Sequence, residues 1–167
     1  MIASVCPVES AHISVDVQSQ SLIYRGANMV PRSYRVSTAK NGLGCLQGSG
    51  CTPTGLHRIR LKIGAGCQSG TVFSGRRPTA EVYDDKLASA FPQRDWIITR
   101  IMWLDGLEPG VNRGHAVDTL RSFIYIHGTP DEAKLGTPVS HGCIRMSSAD
   151  IVELFGLVEN DTRVYIG

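Results

Sequence analysis

The sequence has no densely basic window, no apolar run of membrane-spanning length and no Cys-x-x-Cys pair. Each absence removes a class of function. A nucleic-acid footprint needs Lys and Arg clustered on one face, whereas the net charge here is only +2. No nucleic acid is therefore expected as a partner, and Arg76-Arg77 reads as a lone basic pair on a solvated loop tip. A transmembrane helix needs roughly 18 or more mostly apolar residues in a row, so no membrane span is expected. Zinc knuckles draw on closely spaced cysteine pairs, and the sequence calls for no metal and no cofactor. The start, Met1 to Glu9, has neither the basic nor the apolar region of an export signal. It reads as cytoplasmic, or as periplasmic if a leader precedes the residues in hand. No repeat or internal linker is visible. With 167 residues, 42% hydrophobic and 19% charged, the chain suits one globular domain, residues 1–167.

Five cysteines are present: Cys6, Cys45, Cys51, Cys67 and Cys143. An odd count without an export signal points to free thiols in a reducing compartment. For Cys45 and Cys51 a disulfide or a metal knuckle stands as the alternative. The roles of Cys6, Cys45, Cys51 and Cys67 are not assigned by their sequence context.

Hydrophobic alternation then sets the fold class. Residues 13–17, 22–24 and 33–38 alternate as strands, with polar turns between them. Residues 41–55 hold Gly42, Gly44, Gly48, Gly50 and Gly55 and form a long loop, on the surface or lining a cleft. Residues 56–63 are the cleanest strand, with Ile59, Leu61 and Ile63 on one side and Arg58, Arg60 and Lys62 on the other. Residues 71–73, 96–104, 122–126 and 163–166 read as further strands. A short helix is expected over 84–91, capped by Asp84 and stopped by Pro92. A second follows Ser148 as N-cap, with Ile151, Leu154 and Phe155 as its apolar face. Many short strands with two short helices and no βαβ alternation describe an all-β sandwich or barrel-like domain.

The chemistry concentrates in Ile126-His127-Gly128-Thr129 and Ser140-His141-Gly142-Cys143-Ile144-Arg145-Met146. A thiol with a pKa near 8.5 needs a base to become a nucleophile. His127 ends an apolar strand, which places its ring rigidly and makes it the better base, leaving His141 auxiliary. Gly128 and Gly142 allow close backbone approach. The N–H groups of Gly142 and Cys143 are candidates for an oxyanion site. Arg145 suits a substrate carboxylate, which guanidinium binds bidentately. A metal held by His127, His141 and Cys143 is the rival reading of the same residues.

Those two motifs resemble the L,D-transpeptidase catalytic domain, or YkuD domain. The resemblance extends to residues 36–39, 52–55 and the second helix, covering about 11–167. It implies a β-sandwich carrying a cysteine acyltransferase that acts on peptidoglycan stem tetrapeptides. Cys143 would attack the meso-diaminopimelate carbonyl and expel D-alanine, with His127 as base and the Gly128 carbonyl orienting its ring. Ser140, His141 and Gly142 would shape the pocket. Arg145 stands where some members have Asn. Residues 106–119, with Asn112, Arg113, His115 and Asp118, fall where members build a cleft-covering loop, so Asn112, Arg113 or His115 is expected to meet substrate. Typical members are exported. Without a signal, the expected acceptor is water, giving an L,D-carboxypeptidase of cell-wall recycling. The alternatives are an L,D-transpeptidase with an amine acceptor, a catalytically silent peptidoglycan-binding domain, and a metal-bound structural domain.

Overall fold

The computed structural model describes residues 10–167, so Cys6 lies outside the described residues. The first hairpin pairs β1 (His12–Asp16) with β2 (Ser21–Arg25). Its turn is fixed locally, because the Asp16 carboxylate accepts the N–H groups of Gln18 and Ser19 at 2.9 and 3.0 Å. Ile13, Val15, Leu22 and Tyr24 are buried on one face, as the alternation requires. β3 (Arg32–Arg35) continues this edge. The strand expected over 33–38 ends early, because residues 37 and 39 leave the hairpin to bridge Arg145 and Ser140.

Two nine-residue strands form the middle of the sheet, β4 (Gly55–Ile63) and β7 (Ile98–Gly106). On β4 the expected alternation breaks. A bulge between Ile59 and Leu61 shifts the register, so Ile59 is buried while Leu61 is 43% exposed. Lys62 then reaches back across the core edge, donating to the Val158 carbonyl. Beside β7 lies a hairpin of β5 (Thr71–Ser74) and β6 (Arg77–Val82), the latter absent from the sequence expectation. Arg76 occupies its turn and is only partly exposed, not a solvated tip.

The other partner of β7 is β8 (Tyr125–Gly128), which pairs in parallel with β9 (Ile144–Met146). β10 (Arg163–Ile166) joins β1 to β4, completing a ten-stranded sheet that branches at β7. The mostly-β expectation holds. Helix α1 (Asp85–Ala90) has Asp84 as its cap, as expected. Helix α2 (Ser148–Leu157) is capped one residue earlier than expected. Ser147 is extended and its hydroxyl accepts the Asp150 N–H, whereas Ser148 pairs its hydroxyl with Thr99. Ile151, Leu154 and Phe155 are buried against the sheet, each contributing about 2 kcal/mol by apolar burial.

The two faces of β8 serve different cores. Ile126 joins the main core with Ile144 and Met146. Tyr125 joins a smaller cluster with Phe73 and Ile101, against which Trp103 and Cys143 pack. The strand's alternation thus turns the even position inward and the odd positions, 125 and 127, toward the site. Among the described residues no helix is long and apolar enough to cross a membrane.

Candidate active site

The parallel pair β8–β9 aligns Ile126 with Ile144 and His127 with Arg145. Cys143 precedes β9 by one residue and shares the face of Arg145. Tyr125, His127, Cys143 and Arg145 therefore lie on one face, although Cys143 follows His127 only after a long loop. The Tyr125 N–H donates to Cys143 Sγ at 3.4 Å, and the thiol points its own weak donor at the Phe123 carbonyl, 3.6 Å away.

His127 is buried, and its Nδ1–H donates to the Gly128 carbonyl at 2.8 Å. A carbonyl only accepts, so this bond fixes the tautomer and leaves Nε2 with a lone pair. Burial pushes the imidazole down to about 4 and the nearby Arg145 charge adds to this, while the Gly128 bond opposes it. Burial pushes the Cys143 thiol up to about 12, against the pull of the Tyr125 N–H. The resting pair is neutral thiol and neutral imidazole, and no hydrogen bond joins the two side chains.

The turn before Cys143 is held from several sides. Ser140 Oγ donates to the Cys143 carbonyl at 2.5 Å and accepts the Gly142 N–H at 3.2 Å. This corrects one expectation: the Gly142 N–H is already engaged, whereas the Cys143 N–H has no acceptor among the described residues. Thr52 Oγ1 donates to the Gly142 carbonyl at 2.9 Å. Gly142 has φ 136°, a conformation that favours glycine.

Asp95 is the group the sequence did not reveal. Its carboxylate accepts from Arg145 Nη2 at 2.8 Å and lies 3.0 Å from His141 Nδ1. Arg145 is buried, with its side chain 8% exposed, and its guanidinium is paired with Asp95 within the protein. His141 is exposed and lies between two cavities. One, of about 120 Å³, is lined by the glycine-rich loop with Cys45, Cys51, Ser122 and Ile124. The other, of about 200 Å³, is lined by Arg94, Asp95, Thr129, Lys134 and Arg145. The glycine-rich loop is thus a cleft wall.

The loop at 106–119 is tied down by its own residues. Asn112 is buried, and its amide donates to the Thr54 and Leu56 carbonyls and accepts the Glu108 N–H. It holds the loop and does not line either cavity, contrary to expectation. The Asp118 carboxylate accepts the N–H groups of Gly114 and Arg121. Arg113 and His115 are exposed and likewise lie outside both cavities. Beneath this loop His57 is buried, its Nδ1–H donating to the Gly55 carbonyl and its Nε2 accepting from Thr119.

The four described cysteines stand as free thiols. Among the described residues, no three His, Cys, Asp or Glu side chains converge to hold a metal.

This site and fold place the chain in a known class. The model of the L,D-transpeptidase catalytic domain, YkuD, matches residues 10–166. The chain belongs to that family. The putative L,D-transpeptidase YkuD of Bacillus subtilis (strain 168) is 54% identical over 41 residues, 25% of each chain. An L,D-transpeptidase from Mycobacterium smegmatis shares the fold with a TM-score of 0.56 at 14% identity, over 94% of this chain and 58% of that one. L,D-transpeptidase 3 from Mycobacterium tuberculosis, solved in complex with a faropenem-derived adduct, gives 0.54 at 13% identity, over 93% and 59%. The match thus covers a minor part of the curated relative and little more than half of either solved chain. At such identities the structural likeness speaks for the fold alone.

Proposed function

We propose that this protein is a cysteine acyltransferase acting on peptidoglycan stem peptides. The observation that carries the reading is the His127–Gly128 hydrogen bond, which leaves Nε2 as a base on the face that bears Cys143. The thiol proton passes to Nε2 as the substrate arrives, and the thiolate attacks the meso-diaminopimelate carbonyl of a tetrapeptide. The free Cys143 N–H supports the oxyanion. The imidazolium returns its proton to the departing amine of D-alanine, leaving a thioester on Cys143. A water molecule, deprotonated by His127, then attacks the thioester and releases the tripeptide with the thiol restored.

Water needs no binding site of its own, and hydrolysis is the cycle these residues complete unaided. This is an L,D-carboxypeptidase step. A second reading, transpeptidation with an amine acceptor, is favoured by the two cavities that meet at His141. His141 stands two residues before Cys143, so two separate surfaces open close to the thiol, although Cys143 itself lines neither.

Mass spectrometry of products from a tetrapeptide, with and without an amine acceptor, tests both. Free tripeptide alone supports hydrolysis, and cross-linked dimers support transfer. Cys143→Ala is expected to abolish either product, and equal turnover in that variant overturns the proposal. The solved relative with a faropenem-derived adduct motivates a parallel check. Faropenem is expected to leave an adduct on the wild-type protein, seen as a mass increment, and none on Cys143→Ala.

A further inference from the structure

Arg76 and Phe123 both adopt left-handed backbone conformations, with φ 64° and 55°. At Arg76 this is the conformation that the two-residue hairpin turn Gly75-Arg76 requires at both of its positions. The two residues meet. The Arg76 guanidinium carbon lies 4.7 Å from the Phe123 ring centre and 4.6 Å from that of Trp103. Its Nη1 donates to Tyr125 Oη at 3.2 Å. Phe123 and Tyr125 are the residues whose carbonyl and N–H contact Cys143 Sγ. The guanidinium is therefore held by two side chains whose own backbone brackets the nucleophile.

Among the described residues no carboxylate pairs with Arg76, whereas Arg58, Arg94 and Arg145 each bind one. A guanidinium carries five donors in a planar fork, and only one of them is spent here, on Tyr125. The aromatic rings fix the plane and limit the rotamer freedom that binding would otherwise remove. Such a group takes a carboxylate bidentately.

We infer that Arg76 is the carboxylate anchor of the acyl-donor site, whereas Arg145 is already joined to Asp95. The inference rests on the acyl-transfer reading above and names the substrate feature that this site selects. The donor peptide lays one of its carboxylates on the open edge of Arg76 and brings its scissile carbonyl to Cys143.

The test compares three donors: the tetrapeptide as free acid, its C-terminal carboxamide, and its diaminopimelate side-chain carboxamide. Arg76→Gln is expected to lower kcat/KM for the free acid by roughly ten- to hundredfold, mainly through KM, with part restored in Arg76→Lys. One carboxamide is expected to be equally poor for wild type and to lose less than threefold more on mutation. Equal losses on all three donors, or none, overturn the inference, the former because Arg76 would then only hold Phe123 and Tyr125. If Arg76→Gln does not fold, as judged by thermal melting, Arg76→Lys and the wild-type donor comparison give the same reading.

A substrate-independent measurement separates this inference from the function it rests on. Iodoacetate and iodoacetamide alkylate the same thiol and differ in charge. Their rate ratio at Cys143 is expected to fall severalfold in Arg76→Gln. A wild-type protein that turns over no peptide sinks the acyl-transfer reading, while the falling ratio still supports the anchor. An unchanged ratio overturns it.

Discussion

Replacing Gly128 with alanine tests the site at its most constrained atom. A Cβ at this position would lie 2.5 Å from the Ile98 carbonyl oxygen, 3.1 Å from Thr99 Cβ and 3.3 Å from Ile151 Cγ2. Cβ contacts below 3.0 Å are essentially never seen, so β8 must move at least 3.0 − 2.5 = 0.5 Å from β7. The obstacle is backbone in the middle of the sheet, where Ile98 pairs with Gly128, so it has nowhere to rotate. Overpacking of this kind costs about 1–3 kcal/mol. For a domain of this size each kcal/mol moves Tm by about 2–4 °C, so Tm is expected to fall by roughly 2–12 °C. The same shift moves the carbonyl that holds the His127 ring, and turnover is expected to fall at least about tenfold. Thermal melting and tripeptide release measure the two effects. Gly156→Ala is the control. It sits on α2 with nothing within 4 Å of a new Cβ, and should gain about 0.5–1 kcal/mol from helix propensity. A Gly128→Ala protein that melts and turns over like wild type would refute this reasoning.

Two further outcomes follow from the electrostatics. The Asp95 charge holds the Cys143 thiol up while Arg145 pulls it down, so Asp95→Asn should lower the thiol's titration point. Iodoacetamide alkylation across pH checks this, and an unchanged or higher titration point would contradict it. His57 is buried neutral, with burial pushing it from its usual 6.5 down to about 4. The unfolded chain therefore binds this proton first, and stability is full above pH 6.5 and declines as pH falls toward 4, by about 3 kcal/mol. Melting curves between pH 7 and 4 should flatten by about this amount in His57→Gln, and an unaltered slope would rule out His57 as the cause.

The sequence showed most of what lies along the chain and little of what lies across it. Cys143 and His127 were legible as a candidate thiol and base because the two motifs that hold them are specific only when taken together. The hold of the Gly128 carbonyl on the His127 ring was implied by the family resemblance, and the contact is present. Strand positions such as 13–17 and 163–166 were legible through alternation. The bulge in β4 was not, since Leu61 is as apolar as Ile59 and only the partner strand shows the slip. Asn112 was expected to meet substrate because residues 106–119 fall where the resembled family builds a cleft-covering loop. Its burial comes from a fold-back against residues 54–56, distant in sequence. Asp95 carried no local signal, being a single acid between Arg94 and Trp96. Tyr125 was within reach of inference: two residues from His127 on a strand, it had to share that face. Arg76 was misread because its partners, Trp103, Phe123 and Tyr125, come from other strands and turns.

The parallel pairing of β8 with β9 has one more consequence. Strand register sets His127 opposite Arg145, on the face that Cys143 shares, and the segment from Thr129 to Gly142 serves as a tether between the two strands. A tether can change length cheaply, because doubling a flexible loop costs only about 0.6 kcal/mol in closure entropy. Within it Ala133 is the natural place to splice in a peptide, since it is exposed, whereas the Lys134 carbonyl holds Ser37 and Glu132 accepts the Ser148 N–H. Two side chains that must meet can then stay in step while the chain between them is rewritten.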